Sequence, residues 1–121
     1  MGESSDTGQR LRIAVDAMGG DYAPGEIVRG AVQAARDLGT EIILVGGKSE
    51  VEKELGEIDV THLPVRLVEA SEVIKDGEDP IMAALRKTDS SVAVATRLVK
   101  DGEADAVMSA GSTAAAAVCA M

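Results

Sequence analysis

Aromatic side chains are almost absent from this chain of 121 residues, which contains no Phe, no Trp and a single tyrosine, Tyr22. A core built on stacked rings is therefore excluded. Hydrophobic residues nevertheless make up 45% of the chain, so we expect a core of aliphatic side chains. The 13 glycines exceed the usual share of about 7%, and this excess favours close packing of helices on a sheet.

Cysteine and positive charge are also scarce. Cys119 is the only cysteine, which excludes an internal disulfide and fits a reducing cytosol. A net charge of −9 and a pI near 4.5 argue against nucleic acid, which needs a basic surface, and against electrostatic attachment to anionic lipid. The polar residues 1–10 predict no signal peptide, and the Ala-rich run 104–121 is too short and too polar for a membrane span.

Apolar runs and helical periodicities alternate along the rest of the chain. Strands are predicted at 11–15, 41–45, 65–68 and 105–109, and helices at 24–38, 49–55, 80–86, about 90–102 and from 114 onward. This alternation predicts an α/β fold, a three-layer α/β/α sandwich with a mostly parallel, Rossmann-like sheet.

The organisation into domains is simple. Residues 1–10 are predicted to be a disordered tail, and residues 11–121 to be the N-terminal portion of one α/β domain. The final helix has no stop signal before Met121, so we expect the sandwich to be truncated. Helix starts are predicted from four signals, which are Pro24 at a first helical position, Ser49 as a cap, Ser90 or Asp89 as a cap, and Ser112 or Thr113 as a cap.

The first candidate site follows the first strand directly. Asp16 and Asp21 flank a turn that contains Gly19 and Gly20, and Pro24 leads into the next helix. Ligands in open α/β sheets bind beyond the carboxyl ends of strands, and glycines let the backbone approach them closely. We predict that Asp16 and Asp21 are catalytic, with Asp16 orienting a donor, holding a water or binding a cation. The alternative is a tight turn in which Asp21 only supports the start of the helix.

The second candidate site is basic and precedes a helix. Arg86 and Lys87 supply charge, while Ser90 and Ser91 supply hydroxyls and N–H groups at the helix N-terminus. This combination predicts a phosphate site. The alternative is a solvated basic turn followed by a helix cap.

The third candidate site lies at the end of the fourth strand. Ser109, Gly111, Ser112 and Thr113 precede a helix, and this arrangement is typical of an oxyanion or phosphate cradle. The alternative is again a strand-to-helix turn with a cap. Because the three candidate sites follow the first, third and fourth strands, we expect them to converge at one edge of the sheet.

These three segments together carry a family resemblance. Asp16-Ala17-Met18-Gly19-Gly20-Asp21, Arg86-Lys87-Thr88-Asp89-Ser90-Ser91 and Ser109-Ala110-Gly111-Ser112-Thr113 resemble, in order and spacing, signature segments of the bacterial phosphate acyltransferases of phospholipid synthesis, the PlsX family. Three ordered motifs are far more specific than one glycine-rich loop.

The sequence also departs from the family pattern at three positions. Ser112 stands where the family usually has Asn, and Ala114 where it has Gly. Serine keeps one hydrogen bond but not the two-sided bonding of an amide, and Ala114 removes an easy route to positive φ. Family members often carry His at the position of Glu69, so no catalytic role is assigned to that residue.

The resemblance implies a function. It implies transfer of a fatty acyl group from acyl carrier protein to inorganic phosphate, which gives acyl phosphate, with no cofactor and no metal. It also implies a homodimer that is cytoplasmic or peripheral at the membrane. Two alternatives stay open, an inactive N-terminal fragment and a phosphate- or nucleotide-binding α/β module. The sequence has no Gly-x-Gly-x-x-Gly pattern after the first strand and no Walker motif, and both absences argue against the nucleotide-binding module.

Overall fold

The structure, a computed structural model, describes residues 10–72 and 78–111. Four strands in this part form one sheet in which every neighbouring pair is parallel. They are β1 (Arg12–Asp16), β2 (Glu41–Gly46), β3 (Val65–Glu69) and β4 (Ala106–Ser109). The strands predicted from the sequence are therefore confirmed, and each observed end lies close to its predicted position. Most of the predicted tail and the predicted final helix lie outside the described residues.

Four helices lie between these strands in residues 10–72 and 78–111. They are α1 (Gly25–Leu38), α2 (Lys48–Leu55), α3 (Pro80–Arg86) and α4 (Ser91–Lys100). Three of the four predicted helix starts can be compared with the structure. Ser90 is confirmed as the cap of α4, because its hydroxyl accepts a hydrogen bond from Ala93 N–H at 3.3 Å.

The other two predicted helix starts are wrong. Pro24 is the residue before α1 rather than its first helical residue. Ser49 lies inside the first turn of α2, which begins after Gly47 and has no side-chain cap. A glycine at the cap position leaves the N–H groups of the first turn without a side-chain acceptor, and Ser49, two residues further on, lies within the helix instead of capping it.

The core is aliphatic and divided between the two faces of the sheet. Neighbouring strand residues point to opposite faces, so Ile42 and Leu44 of β2 pack with α1 and α2, while Ile43 and Val45 pack with α4. All four side chains are buried. Helices therefore cover both faces, and the three-layer sandwich predicted from the sequence is confirmed.

The order of the strands places a reversal next to β1. The sheet reads β3-β2-β1-β4, so the chain adds β2 and β3 on one side of β1 and then returns to add β4 on the other side. In open α/β sheets, the crevice at such a reversal is where ligands bind. The carboxyl ends of β1 and β4 are thus the first place to look for a site.

Candidate functional site

A buried carboxylate occupies this reversal point. Asp16 is the last residue of β1 and is 4% exposed. It lies beside Ser109, the last residue of β4, in the register of the two strands. A charge so well buried needs hydrogen-bond donors to replace the water it has lost, and it is the sheet edge that brings those donors together.

Three donors reach the two oxygens of Asp16. The hydroxyl of Ser91 donates to Oδ1 at 2.5 Å, and the backbone N–H of Met18 donates to the same oxygen at 3.0 Å. The hydroxyl of Ser109 donates to Oδ2 at 2.8 Å and accepts a hydrogen bond from the N–H of Gly111 at 3.1 Å. We call Asp16, Ser91, Ser109 and the Met18 N–H the Asp16 clasp. One carboxylate therefore joins all three segments selected from the sequence.

Glycines allow the two loops above the clasp to touch. A Cβ atom added to Gly19 would lie 2.7 Å from Asp16 Oδ2 and 2.9 Å from the N–H nitrogen of Gly111. These distances are shorter than any normal van der Waals contact. Gly20 has a φ of 94°, a conformation that side chains with a Cβ rarely adopt. The turn after β1 and the turn after β4 can approach this closely only because both lack side chains there.

The basic pair lies outside the clasp. Arg86 is exposed in the last turn of α3. Lys87 is half-buried, and its ammonium group lies 2.8 Å from a carboxylate oxygen of Glu78. Asp21 is exposed on the turn before α1, and α1 has no side-chain cap. Within the part of the chain that the structure describes, neither the basic pair nor Asp21 is hydrogen-bonded to Asp16.

The remaining predicted residues fall into two groups. Ser90 is fully buried beside the clasp, where it caps α4. Ser112 and Thr113 lie outside the described residues. Sequence reasoning missed that Ser91 and Ser109 both face Asp16, because it assigned their hydroxyls to a ligand. The available signal was the presence of two short hydroxyl side chains at the ends of elements that flank an acid in an otherwise apolar strand.

A second, open pocket of about 470 Å³ lies at the carboxyl ends of β2 and β3. Residues 47–50, Glu52 and residues 69–71 line it. Its side chains include Lys48 and three acids, Glu50, Glu52 and Glu69. We call it the β2–β3 pocket. Its excess of negative charge makes it a poor site for an anion.

An ion pair joins β4 to β1 at the amino ends of the two strands, opposite the Asp16 clasp. A nitrogen of the Arg12 guanidinium lies 3.0 Å from an oxygen of Asp105, and the backbone N–H of Arg12 donates to the same carboxylate at 2.8 Å. The side-chain hydrogen bond from Arg12 lowers the pKa of Asp105 below its usual value. β4 is thus attached to β1 by a polar contact at each of its two ends.

None of the helices within residues 10–72 and 78–111 has the length and apolar character that a membrane crossing requires. In the same residues, no group of three or more His, Cys, Asp or Glu side chains is arranged to hold a metal ion.

Three curated relatives named phosphate acyltransferase resemble this chain closely. The protein from Desulfitobacterium hafniense (strain DSM 10664 / DCB-2) is 53% identical over 105 residues, which are 87% of this chain and 31% of the relative. The protein from Desulforamulus reducens is 51% identical over 105 residues, again 87% of this chain and 31% of the relative. The protein from Thermosynechococcus vestitus is 49% identical over 112 residues, 93% of this chain and 32% of the relative.

The chain therefore spans about a third of the length of these relatives. A family model described as "Fatty acid synthesis protein" matches residues 11–121. The resemblance seen in the three motifs is confirmed by this match and by the identities to the relatives. The chain belongs to the fatty acid synthesis protein family.

Proposed function

We propose that this chain is part of a phosphate acyltransferase, which moves a fatty acyl group from acyl carrier protein to inorganic phosphate. The names of the relatives support the reaction class. The observation that carries the proposal is the meeting of three motifs on one buried carboxylate at the reversal point of the sheet. Residues from β1, β4 and α4 meet at that position, and this arrangement favours a ligand site over three unrelated turns.

The chemistry explains why such a site suffices. A phosphate oxygen attacks the thioester carbon, a C–O bond forms, the C–S bond breaks, and the thiol of the carrier leaves with a proton. Phosphate is itself the nucleophile, so no serine or cysteine nucleophile is required. The site must instead hold an anion and stabilise the oxyanion of the tetrahedral intermediate with fixed donors.

Each predicted residue receives a role within this proposal. The backbone around Gly19, Gly20 and Gly111 approaches the phosphate and the thioester oxygen. Asp16 orients the donors of the clasp, and Asp21 stands at the exposed rim of the same turn. Substrate-binding roles are also proposed for a further set of polar and basic side chains, which are Arg86, Lys87, Ser90, Ser112 and Thr113.

The partners form part of the same proposal. We propose that acyl carrier protein delivers the acyl group, that the enzyme is a homodimer, and that it is cytoplasmic or peripheral at the membrane. The chain carries a net charge of −9, and acyl carrier proteins are also acidic. Docking of the carrier then requires a local basic surface that outweighs the overall repulsion.

An acyl phosphate assay tests the function. It uses an extended enzyme, defined as this chain carried on beyond Met121 to the full length of its relatives, by its own continuing sequence or by that of the Desulfitobacterium hafniense relative. Acyl carrier protein loaded with a fatty acyl group is mixed with inorganic phosphate, and acyl phosphate is detected directly by mass spectrometry. We expect product only when phosphate, enzyme and acyl carrier protein are all present.

Two further results bear on the same test. Absence of product from the extended enzyme would contradict the proposed reaction. This chain on its own is expected to give little or no product, because Val107 and Met108 of β4 are 41% and 58% exposed and lack the cover that a finished sandwich gives a strand. Full turnover by the chain alone would contradict that expectation.

A further inference from the structure

The two serine hydroxyls of the clasp have no proton left for a substrate. A hydroxyl has one hydrogen to donate. Ser91 gives it to Asp16 Oδ1, and Ser109 gives it to Asp16 Oδ2. Phosphate is an anion whose oxygens need donors. Either serine would have to abandon a buried carboxylate in order to bind it, and that would leave the charge of Asp16 without its partner.

We propose that Ser91 and Ser109 are positioning residues, which act through Asp16 and hold the glycine turn after β1 against the turn after β4. The proposal rests on the proposed function and refines the substrate-binding role that the sequence suggested for these two serines. The phosphate and the thioester oxygen are bound by the backbone that the clasp positions.

The contacts of Ser109 show how the positioning works. Its hydroxyl oxygen accepts the N–H of Gly111 while its proton bonds to Asp16, so the turn after β4 is tied to the end of β1. Gly19 lies against the same two groups, with room for no Cβ atom. Loss of the hydroxyl frees Gly111 and lets the two turns separate, and a displacement of about 1 Å in an active site costs on the order of a hundredfold in rate.

Ser91 holds the third element. It is the first residue of α4 and is buried, so its bond to Asp16 fixes the N-terminus of that helix beside the two turns. Among the described residues, every buried side-chain nitrogen or oxygen has a hydrogen-bond partner. The clasp is therefore a closed network, in which the removal of one member affects the geometry of the others.

The test separates positioning from direct binding by kinetics. In the extended enzyme, Ser91→Ala and Ser109→Ala are expected to lower kcat by roughly ten- to a hundredfold. The KM for phosphate is expected to rise as well, because the displaced backbone also binds the phosphate. A serine that binds phosphate directly would instead raise that KM alone and leave kcat unchanged, and this result would overturn the proposal. Thr96→Val is the matched control, because it removes another buried hydroxyl of α4, one that donates to Val92 O at 2.8 Å rather than to Asp16.

A double-mutant cycle supplies the second readout. If Ser91 acts only through Asp16, adding Ser91→Ala to Asp16→Ala costs no further activity, whereas two independent contributions would multiply. Multiplied losses would overturn the proposal. Where Asp16→Ala fails to fold, Asp16→Asn replaces it. The serine that faces the amide nitrogen of Asn has then lost its acceptor. Removing the hydroxyl of that serine should cost less activity than the same change costs in the unmutated enzyme. An inactive unmutated extended enzyme would contradict the proposed function itself, whereas an active enzyme with unaffected serine variants would contradict only this inference.

Discussion

The two halves of the sheet's carboxyl edge hold their polar groups in opposite ways. At β1 and β4, a buried aspartate accepts hydrogen bonds from two hydroxyls and one backbone N–H. At β2 and β3, charged side chains surround an open pocket of about 470 Å³. Both halves lie at strand ends in one parallel sheet, so the difference comes from the residues that follow the strands and from the reversal of strand order beside β1.

This difference indicates where the fold holds polar groups in a fixed geometry. Burying a carboxylate is costly unless its oxygens accept hydrogen bonds, and in the Asp16 clasp three donors from three separated segments reach them. Nothing comparable constrains Glu69, which is exposed at the end of β3. Fixed donors and close backbone contacts are what catalysis of acyl transfer needs. In the β2–β3 pocket, the free N–H groups at the start of α2 lie among three acidic side chains, which disfavour an anion.

The largest expected effect is the loss of the charge at Asp16. In the extended enzyme, Asp16→Asn leaves one clasp serine without its acceptor, and we expect acyl phosphate formation to fall on the order of a hundredfold. Unfolding should become easier by about 1–3 kcal/mol. Glu69→Gln, the matched change in the β2–β3 pocket, should alter both quantities little. Equal losses in the two variants would remove the distinction between the two halves.

The second largest effect, a loss of stability, is expected from a methyl group added to a glycine. Gly19→Ala places a Cβ against Asp16 Oδ2 and the backbone of Gly111, neither of which can move without opening the clasp, so it should cost about 1–3 kcal/mol of unfolding free energy. Gly47→Ala in the β2–β3 pocket meets only the side chain of Glu50, which is exposed and can rotate away. Because alanine is less favourable than glycine at the cap of α2, the cost of this change should be about 0.5–1 kcal/mol, which is below that of Gly19→Ala. Chemical denaturation of both variants checks the pair, and a neutral Gly19→Ala would contradict the close approach of the two turns.

The basic pair should produce a smaller change. Replacing Arg86 and Lys87 by Ala is expected to weaken phosphate binding to the extended enzyme by about two- to fivefold, because Lys87 is already engaged with Glu78. The loss should be larger at low salt, where screening is weaker. Calorimetric titration at two salt concentrations measures it, with Arg66→Ala, an exposed change on β3, as the control. An unchanged affinity would remove both residues from the phosphate site.

The smallest effect concerns acid stability at the amino ends of β1 and β4. Arg12 lowers the pKa of Asp105 below its usual value of 3.8, so the ion pair contributes stability above that value and loses it as the pH falls through the lowered pKa of the folded state. Asp105→Asn should therefore flatten the loss of stability below about pH 4. Asp101→Asn, an exposed change at the end of α4, is the control. Identical acid unfolding curves for the Asp105 variant and the unmutated chain would contradict this assignment.

Local patterns in the sequence were enough to predict the elements of the fold. Continuous apolar runs such as 42–45 are typical of strands covered on both faces, and Ser90 carries a capping signal that depends on its neighbours alone. The start of α2 was mispredicted at Ser49, because a glycine cap leaves no mark that distinguishes it from the residues beside it.

The site was predictable only in part. Carboxylates and hydroxyls at strand ends mark a candidate site because parallel strands share a carboxyl edge. Which hydroxyl faces which acid depends on the placement of β4 beside β1 and on the position of α4, and both are contacts between residues far apart in sequence. Ser91 and Ser109 therefore looked like ligands of a substrate, although their partner is Asp16.

The position of bound phosphate tests the assignment most directly. A crystal structure of the extended enzyme with inorganic phosphate should show the anion beside Gly19, Gly20 and Gly111, with Ser91 and Ser109 still bonded to Asp16. Phosphate in the β2–β3 pocket, or phosphate bonded to the hydroxyl of Ser91 or Ser109 in place of Asp16, would contradict it.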